Sequence, residues 1–169
     1  MQTTKQLAQL VGERLLQRQW WIGAAESCTG GLLISTLTDV AGSSRYVSGG
    51  IISYSNTLKQ SLLGVQESTL LAYGAVSEQT AHEMALGALR RLNVDAALSV
   101  TGIAGPGGGT PEKPVGLVYI GAALREANAE RVSVRRFQWQ GSREQNKQDS
   151  VRAALAFLLE LLPEYPNVV

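Results

Sequence analysis

The amino-acid sequence predicts a single three-layer α/β/α domain with a mixed central sheet, and three observations support this fold class. Short apolar segments typical of strands alternate along the chain with segments of helical periodicity. Helices in the connections between the first three strands favour parallel pairing, whereas the last two strands are joined too briefly for a crossover and should pair antiparallel. Residues 1–169 contain no repeat, linker or low-complexity segment, so we expect one domain.

Composition excludes several classes of protein. A chain of 169 residues can bury a sizeable core, and its 15 basic and 14 acidic residues leave a formal charge of +1. The basic residues are dispersed, which argues against nucleic-acid binding. A single cysteine rules out an internal disulfide and fits a reducing compartment. With no signal peptide and no apolar run of membrane-spanning length, we expect a cytoplasmic protein without a membrane partner.

Turn-forming residues separate the predicted elements in the first half of the chain. Thr3 or Thr4 can cap the first helix, and Gly49 and Gly50 indicate a bulge, a bend or a close backbone contact within the second strand. We expect, in order, a helix at residues 5–19, a strand at 20–25, a helix around 32–37, a polar turn at 39–44, a strand at 45–54, helices at 57–63 and 66–73, and a longer helix capped by Ser77 and broken by Asn93.

The second half of the chain predicts three strands and a final helix. The strands are expected at residues 94–100, 115–124 and 132–140. Alternation changes phase within the last of these, which indicates a bulge near Arg135 or an edge position. Residues 142–145 form a capping box that opens the final helix; Pro163 should help to end it, and the residues up to Val169 should fray.

The most suggestive stretch is residues 24–31, AAESCTGG, which joins the first strand to the second helix. Backbone amides at a helix N-terminus, together with the helix dipole, can stabilise a phosphate or a developing oxyanion. Gly30 and Gly31 would allow a ligand to approach the backbone. The alternative is that Ser27 or Thr29 merely caps the helix.

A second glycine-rich stretch, residues 101–111, follows the third strand. It is neither a Walker A loop nor a Rossmann loop, because it runs into prolines instead of opening a helix. It could be a flexible connection. However, if the first and third strands run parallel, their carboxyl ends bring Ser27 and Thr101 to the same edge of the sheet, and the two loops become walls of one cleft.

The inventory of reactive side chains favours a serine–lysine pair. His82 is the only histidine and lies at the edge of a helical stripe, so a Ser-His-Asp triad is disfavoured. Lys59 follows a strand end near a helix N-terminus, where a lowered pKa would let it accept the proton of Ser27, and Tyr54 could relay a proton or orient the lysine. Cys28 is a competing nucleophile. No cluster has metal-ligand spacing, so we expect no metal.

Five ordered motifs resemble the CinA C-terminal domain family, the nicotinamide-nucleotide amidases. They are residues 25–31 (AESCTGG), 54–56 (YSN) followed by Lys59, 74–78 (GAVSE), 101–106 (TGIAGP) and 113–116 (KPVG). The resemblance implies hydrolysis of the carboxamide of nicotinamide mononucleotide to nicotinate mononucleotide and ammonia, without metal or other cofactor, in pyridine-nucleotide salvage. It also implies that Ser27 is the nucleophile and Lys59 its base.

The resemblance extends to supporting residues. It places Tyr54 beside the lysine and Thr101 with Gly102 at the reacting centre. Backbone amides near residues 28–30 or at Gly102 are our candidates for oxyanion donors, and Arg143 is our candidate for the 5'-phosphate, although Ser142 replaces the aspartate of a family Gly-Asp-Arg segment. The expected substrate-binding residues are Cys28, Thr29, Gly30, Gly31, Gly102, Gly105 and Arg143.

Two other functions remain open at this point. The chain could be a non-catalytic nucleotide-binding regulatory module that uses the same two loops for phosphate, since intact motifs do not prove turnover. It could also be a cysteine-dependent amidohydrolase. A homo-oligomer is open as well, whereas the expected small-molecule partner is a nucleotide.

Overall fold

A five-stranded mixed sheet forms the centre of the molecule. The computed structural model describes residues 2–127 and 129–162, so the predicted helix end at Pro163 and the fraying residues up to Val169 lie outside the described residues. The strand order is β2-β1-β3-β4-β5, with β1 parallel to both β2 and β3 and with β4 antiparallel to β3 and β5. This arrangement confirms the predicted α/β class and the mixed sheet.

The described elements follow the predicted order. The helices are α1 (Thr4–Arg18), α2 (Leu32–Thr38), α3 (Asn56–Leu63), α4 (Glu67–Tyr73), α5 (Glu78–Arg91) and α6 (Arg143–Leu161), with a short 3-10 turn at Ser43–Arg45. The strands are β1 (Ile22–Glu26), β2 (Val47–Ile52), β3 (Ala96–Gly102), β4 (Leu117–Glu126) and β5 (Ala129–Gln138). Among these helices, none is long and apolar enough to cross a membrane.

Alternation along the strands divides the core into two layers. On β3, Leu98 and Val100 face a cluster that includes residues of α1, α2 and α6, whereas Ala97 faces a cluster built with α3 and α5. Because successive side chains of a strand point to opposite faces, each strand serves both clusters. Small residues on the second face let α5 lie close to the sheet, and the hydroxyl of Ser99 donates to the carbonyl of Ala81 on α5.

Local sequence signals account for most helix starts. The hydroxyls of Thr3, Ser55, Ser77 and Ser142 accept hydrogen bonds from the first turns of α1, α3, α5 and α6. Capping boxes are present at the starts of both α1 and α6. These helices therefore begin where the sequence predicts.

Three strand details differ from or refine the expectations. The irregularity at Gly49 is a register shift, since Ile22 pairs with Val47 and the next residue of β1 pairs with Gly49. Strand β5 lies at the edge of the sheet, but its pairing with β4 is continuous, so the bulge near Arg135 is absent there. β1 begins at Ile22, after the two tryptophans; Trp21 is exposed, and its carbonyl accepts from the amides of Asp95 and Ala96.

The parallel strands bring three chain segments to one edge. β1 and β3 are in register from Ile22 opposite Ala96 to Glu26 opposite Val100. Just beyond the strand ends, the Ser27 amide donates to the Val100 carbonyl and the Ser53 amide donates to the Glu26 carbonyl. The loops after β1, β2 and β3 therefore start side by side.

Candidate active site

Ser27 and Lys59 meet at this edge of the sheet. Lys59 lies on α3 and its side chain is only 1% exposed. Its Nζ lies 3.0 Å from the Ser27 Oγ, 2.8 Å from the Ser53 carbonyl oxygen and 3.2 Å from the Tyr54 carbonyl oxygen. Because a carbonyl can only accept, two hydrogens of the amine are committed to the backbone, and the third tetrahedral position of Nζ faces the serine.

Burial favours the neutral form of the Lys59 amine. Desolvation lowers the pKa of Lys59 below the ordinary lysine value, because the charged ammonium loses water in the protein interior. The sequence argument invoked the helix dipole for this shift, but burial is its main cause. A neutral amine presents a lone pair at the position that faces the Ser27 hydroxyl.

Burial has the opposite effect on the pKa of Cys28, because it raises the pKa of a thiol instead of lowering it. Burial, followed by the negative charge of Glu26, raises the pKa of its thiol to about 11. A thiol with this pKa stays protonated at neutral pH, and only a thiolate is a strong nucleophile. The helix N-terminus therefore does not activate Cys28, which argues against a cysteine enzyme.

The carboxylate of Glu26 caps α2. Its oxygens accept from the amides of Gly31, Leu33 and Ile34 at 3.0, 3.0 and 2.9 Å. The amides of Gly31, Leu33 and Ile34 are therefore not free for a substrate anion, and the alternative that Ser27 or Thr29 caps the helix was wrong. Sequence reasoning missed Glu26, although an acidic residue shortly before a helix N-terminus is a known stabilising signal.

A cavity of about 290 Å³ opens in front of the serine and the lysine. Its walls come from the loops after β1, β2 and β3, from the segment between α4 and α5, and from the start of α6. The lining residues are Ser27, Cys28, Tyr54, Asn56, Lys59, Ala75, Val76, Thr101, Gly102, Ile103, Ala104, Gly105, Gly107, Gly108 and Arg143. Both glycine-rich stretches thus contribute to the wall of one cavity, the first of them through Ser27 and Cys28.

Three of the expected substrate-binding residues are not part of this wall. Thr29 is buried, and its hydroxyl has no hydrogen-bond partner among the described residues. The amide of Gly30 donates to the Ser27 carbonyl, and that of Gly31 donates to Glu26. The tight turn that follows Ser27 therefore directs these residues toward α2 and away from the cavity.

Thr101 and Tyr54 line the cavity but their hydroxyls are engaged elsewhere. The hydroxyl of Thr101 donates to the Ala75 carbonyl at 2.8 Å, which ties the third strand to the segment before α5. The hydroxyl of Tyr54 accepts from Arg143 at 3.3 Å. Tyr54 therefore contacts Lys59 through its backbone carbonyl and Arg143 through its phenol.

Arg143 closes one side of the cavity. It is the first residue of α6, and its Nη1 donates to the Gly105 carbonyl at 2.8 Å. Ser142, which replaces an aspartate of the family pattern, caps α6 through its hydroxyl. The substitution therefore leaves both the helix start and the arginine held in place.

The sequence analysis did not assign some of the residues that line the cavity to the site. The sequence predicts that Ser55 or Asn56 caps α3; Ser55 is the cap, and Asn56 lines the cavity. Ala75 and Val76 had no polar signal, and only their place in a recognised motif could have indicated them. His82 is exposed on α5, outside the residues that line the cavity.

Comparison with known proteins identifies the family. The model of the CinA C-terminal domain matches residues 4–162. The chain belongs to the CinA C-terminal domain family. A family relative from Enterobacter agglomerans, named nicotinamide-nucleotide amidohydrolase PncC, is 52% identical over 134 residues, which are 79% of this chain and 80% of that protein. A CinA-like protein of Chlorobaculum tepidum is 52% identical over 159 residues, or 94% of this chain and 38% of the relative.

Solved structures of the family share the fold. The competence/damage inducible protein CihA from Agrobacterium tumefaciens superposes with a TM-score of 0.88 at 42% identity, covering 94% of each chain. A CinA superfamily protein from Enterobacter cloacae gives a TM-score of 0.89 at 29% identity, covering 96% of this chain and 94% of that one. The matched part of this chain corresponds to only 28% of the CinA-like protein of Leptospira borgpetersenii strain L550, so the family includes much longer proteins.

Proposed function

We propose that this chain is an amidohydrolase that converts nicotinamide mononucleotide to nicotinate mononucleotide and ammonia, with Ser27 as nucleophile and Lys59 as general base. The observation that carries the proposal is the buried Lys59 amine, held by two carbonyls at 3.0 Å from the Ser27 hydroxyl within a cavity. The name of the Enterobacter agglomerans relative supports the substrate. We assign the activity to a single domain acting in pyridine-nucleotide salvage in the cytoplasm.

The reaction follows from the protonation state of the lysine. The Ser27 oxygen attacks the carboxamide carbon while its proton moves to the neutral Nζ of Lys59. That proton then passes to the amide nitrogen, the C–N bond breaks, and ammonia leaves an ester on Ser27. Water attacks the ester with Lys59 again accepting a proton, which returns to the Ser27 oxygen as nicotinate mononucleotide leaves.

The backbone amide of Cys28 is the donor that we assign to the oxyanion. The Gly30 amide is occupied by the Ser27 carbonyl and the Gly31 amide by Glu26, whereas the Cys28 amide donates to no backbone carbonyl of the described residues. An amide directly after the nucleophile is well placed for the negative oxygen of a tetrahedral intermediate. Such donors stabilise charge that develops only in the transition state.

Ammonia release from nicotinamide mononucleotide tests this function. Ser27→Ala and Lys59→Met should each lower kcat by about two to four orders of magnitude, because one lacks the attacking oxygen and the other lacks the base. Cys28→Ala should stay within a few fold of the native rate, and a chelator should have no effect.

Other outcomes would contradict the proposal in distinct ways. A cysteine enzyme would survive Ser27→Ala and lose activity in Cys28→Ala. A regulatory binding module would bind the mononucleotide and release no ammonia even as the native chain. Loss of activity in the chelator would instead indicate a metal enzyme.

A further inference from the structure

A second cation lies beside Arg143 on α6. Lys147 is one helical turn further along, so its side chain and that of Arg143 share a face of the helix. The Nζ of Lys147 lies 4.0 Å from the point that a Cβ on Gly30 would occupy. The ammonium therefore sits over the turn that follows the proposed nucleophile, where its charge also acts on Cys28.

Arg143 and Lys147 both line a second cavity, which has a volume of about 360 Å³. It is lined by Leu32, Arg143, Glu144, Lys147 and Gln148, and Arg143 lines both this cavity and the one that contains Ser27. A ligand held in front of Ser27 could thus extend past the guanidinium toward Lys147. The sequence analysis assigned no role to Lys147.

The charges of the two cations are not neutralised by the protein. Within residues 2–127 and 129–162, neither Arg143 nor Lys147 forms an ion pair, and Lys147 makes no hydrogen bond. Other arginines do pair, as Arg135 does with Glu160. Glu144, the acidic residue on this wall, accepts instead from the side-chain amide of Gln148. The wall therefore carries a local excess of positive charge.

We propose that Lys147 and Arg143 together form the subsite for the phosphate monoester of the substrate. The inference rests on the proposed function and names the groups that recognise the phosphate end of the nucleotide. A phosphate monoester carries close to two negative charges at neutral pH, which matches two adjacent cations. The start of a 19-residue helix adds its positive dipole end on the same side.

Gly30 is part of this arrangement. Its backbone is in the left-handed region at φ 60°, and a side chain there would stand against the Lys147 ammonium. The contact at 4.0 Å would be an ordinary van der Waals contact, so the positive φ is what favours glycine in this turn beside the lysine.

Steady-state kinetics with and without the phosphate test the subsite. Lys147→Met should raise the KM for nicotinamide mononucleotide about tenfold with little change in kcat, because a charged hydrogen bond to the phosphate is lost. The same variant should leave the KM for nicotinamide riboside, which lacks the phosphate, unchanged. The control is Lys5→Met, which removes an equal charge from an exposed position on α1.

The neighbouring carboxylate provides an opposite change on the same wall. Glu144→Gln should lower the KM for the mononucleotide, because a negative charge beside the phosphate is removed, and should leave the riboside unaffected. Equal effects of Lys147→Met on both substrates, or no effect on either, would overturn the subsite.

Calorimetric titration separates failure of this inference from failure of the proposed function. If the native chain binds the mononucleotide but releases no ammonia, the amidase proposal fails, and the subsite stands only if Lys147→Met weakens binding of the mononucleotide about tenfold and not that of the riboside. If the native chain does not bind the mononucleotide at millimolar concentration, both proposals fail.

Discussion

At the scale of single residues, the properties of Lys59 follow from its surroundings. A lysine on a short helix would ordinarily be solvated and charged, but this side chain is covered and its amine is shared among two carbonyls and a hydroxyl. Desolvation favours the neutral amine and so lowers its pKa. In the proposed mechanism, this arrangement places a base next to Ser27 before any substrate binds.

The pH dependence of turnover follows from this lowered pKa. In the proposed mechanism the unprotonated amine is the active form, so kcat/KM should rise with pH through the pKa of Lys59 and level off above it. Because that pKa is lowered, the midpoint should lie below the ordinary lysine value of 10.5. Ammonia release measured across the pH range checks this, and a profile without a rising limb would contradict the role of Lys59 as base.

At the scale of elements, the connection between β1 and α2 is organised by Glu26. Three amides at the start of α2 converge on one buried carboxylate, which fixes the turn containing Ser27 and Cys28. The same negative charge contributes to the raised pKa of the Cys28 thiol. One side chain therefore stabilises the helix and adds to the effect of burial, which is the main cause of the raised pKa of the neighbouring thiol.

Replacing this carboxylate should have two measurable effects. Glu26→Gln should destabilise the protein by about 1–3 kcal/mol in urea unfolding, since buried amides lose charged acceptors. It should also speed alkylation of Cys28 by iodoacetamide at fixed pH, because the thiol pKa falls when the negative charge is removed. Glu13→Gln, at an exposed position on α1, is the matched control and should change neither. Unchanged alkylation in Glu26→Gln would show that the charge does not act on the thiol.

At the scale of the whole molecule, close packing between α5 and its neighbours sets the position of α3 and thus of Lys59. A Cβ on Gly87 of α5 would lie 2.0 Å from the carbonyl oxygen of Leu63, at the end of α3. No side chain fits at such a distance without moving one helix. The glycine therefore determines how near α3 comes to α5.

Gly87→Ala tests this packing from a position remote from the cavity. Helix propensity would favour alanine by about 1 kcal/mol, but the clash with backbone should outweigh it and leave a net destabilisation of about 1–2 kcal/mol in urea unfolding. Turnover should also fall, because α3 carries Lys59. The control is Gln79→Ala, at an exposed position of the same helix, which should leave both unchanged. A more stable Gly87→Ala protein would contradict the predicted clash.

The order of elements, most helix starts and the meeting of the two glycine-rich loops were predictable from the sequence. Hydrophobic periodicity and hydroxyl caps act over a few residues, and the rule that parallel strands end at one edge brought residues 27 and 101 together. The edge position of β5 was also anticipated, although the sequence could not decide between an edge and a bulge. These features depend on local chemistry, which the linear chain contains.

Only the tertiary structure determined the hydrogen-bond partners and the burial of the reactive side chains. The engagement of the Tyr54 hydroxyl by Arg143 and the burial that lowers the pKa of Lys59 depend on distances between segments far apart in the chain. The capping of α2 by Glu26 instead of Ser27 or Thr29 is local in sequence, but it depends on how the turn folds back on the end of β1. Hydrogen bonds and desolvation change steeply over a few ångströms, whereas a sequence pattern locates a side chain only to within an element. The sequence by itself therefore determined the architecture and the set of reactive residues, and the folded structure decided their partners and their protonation.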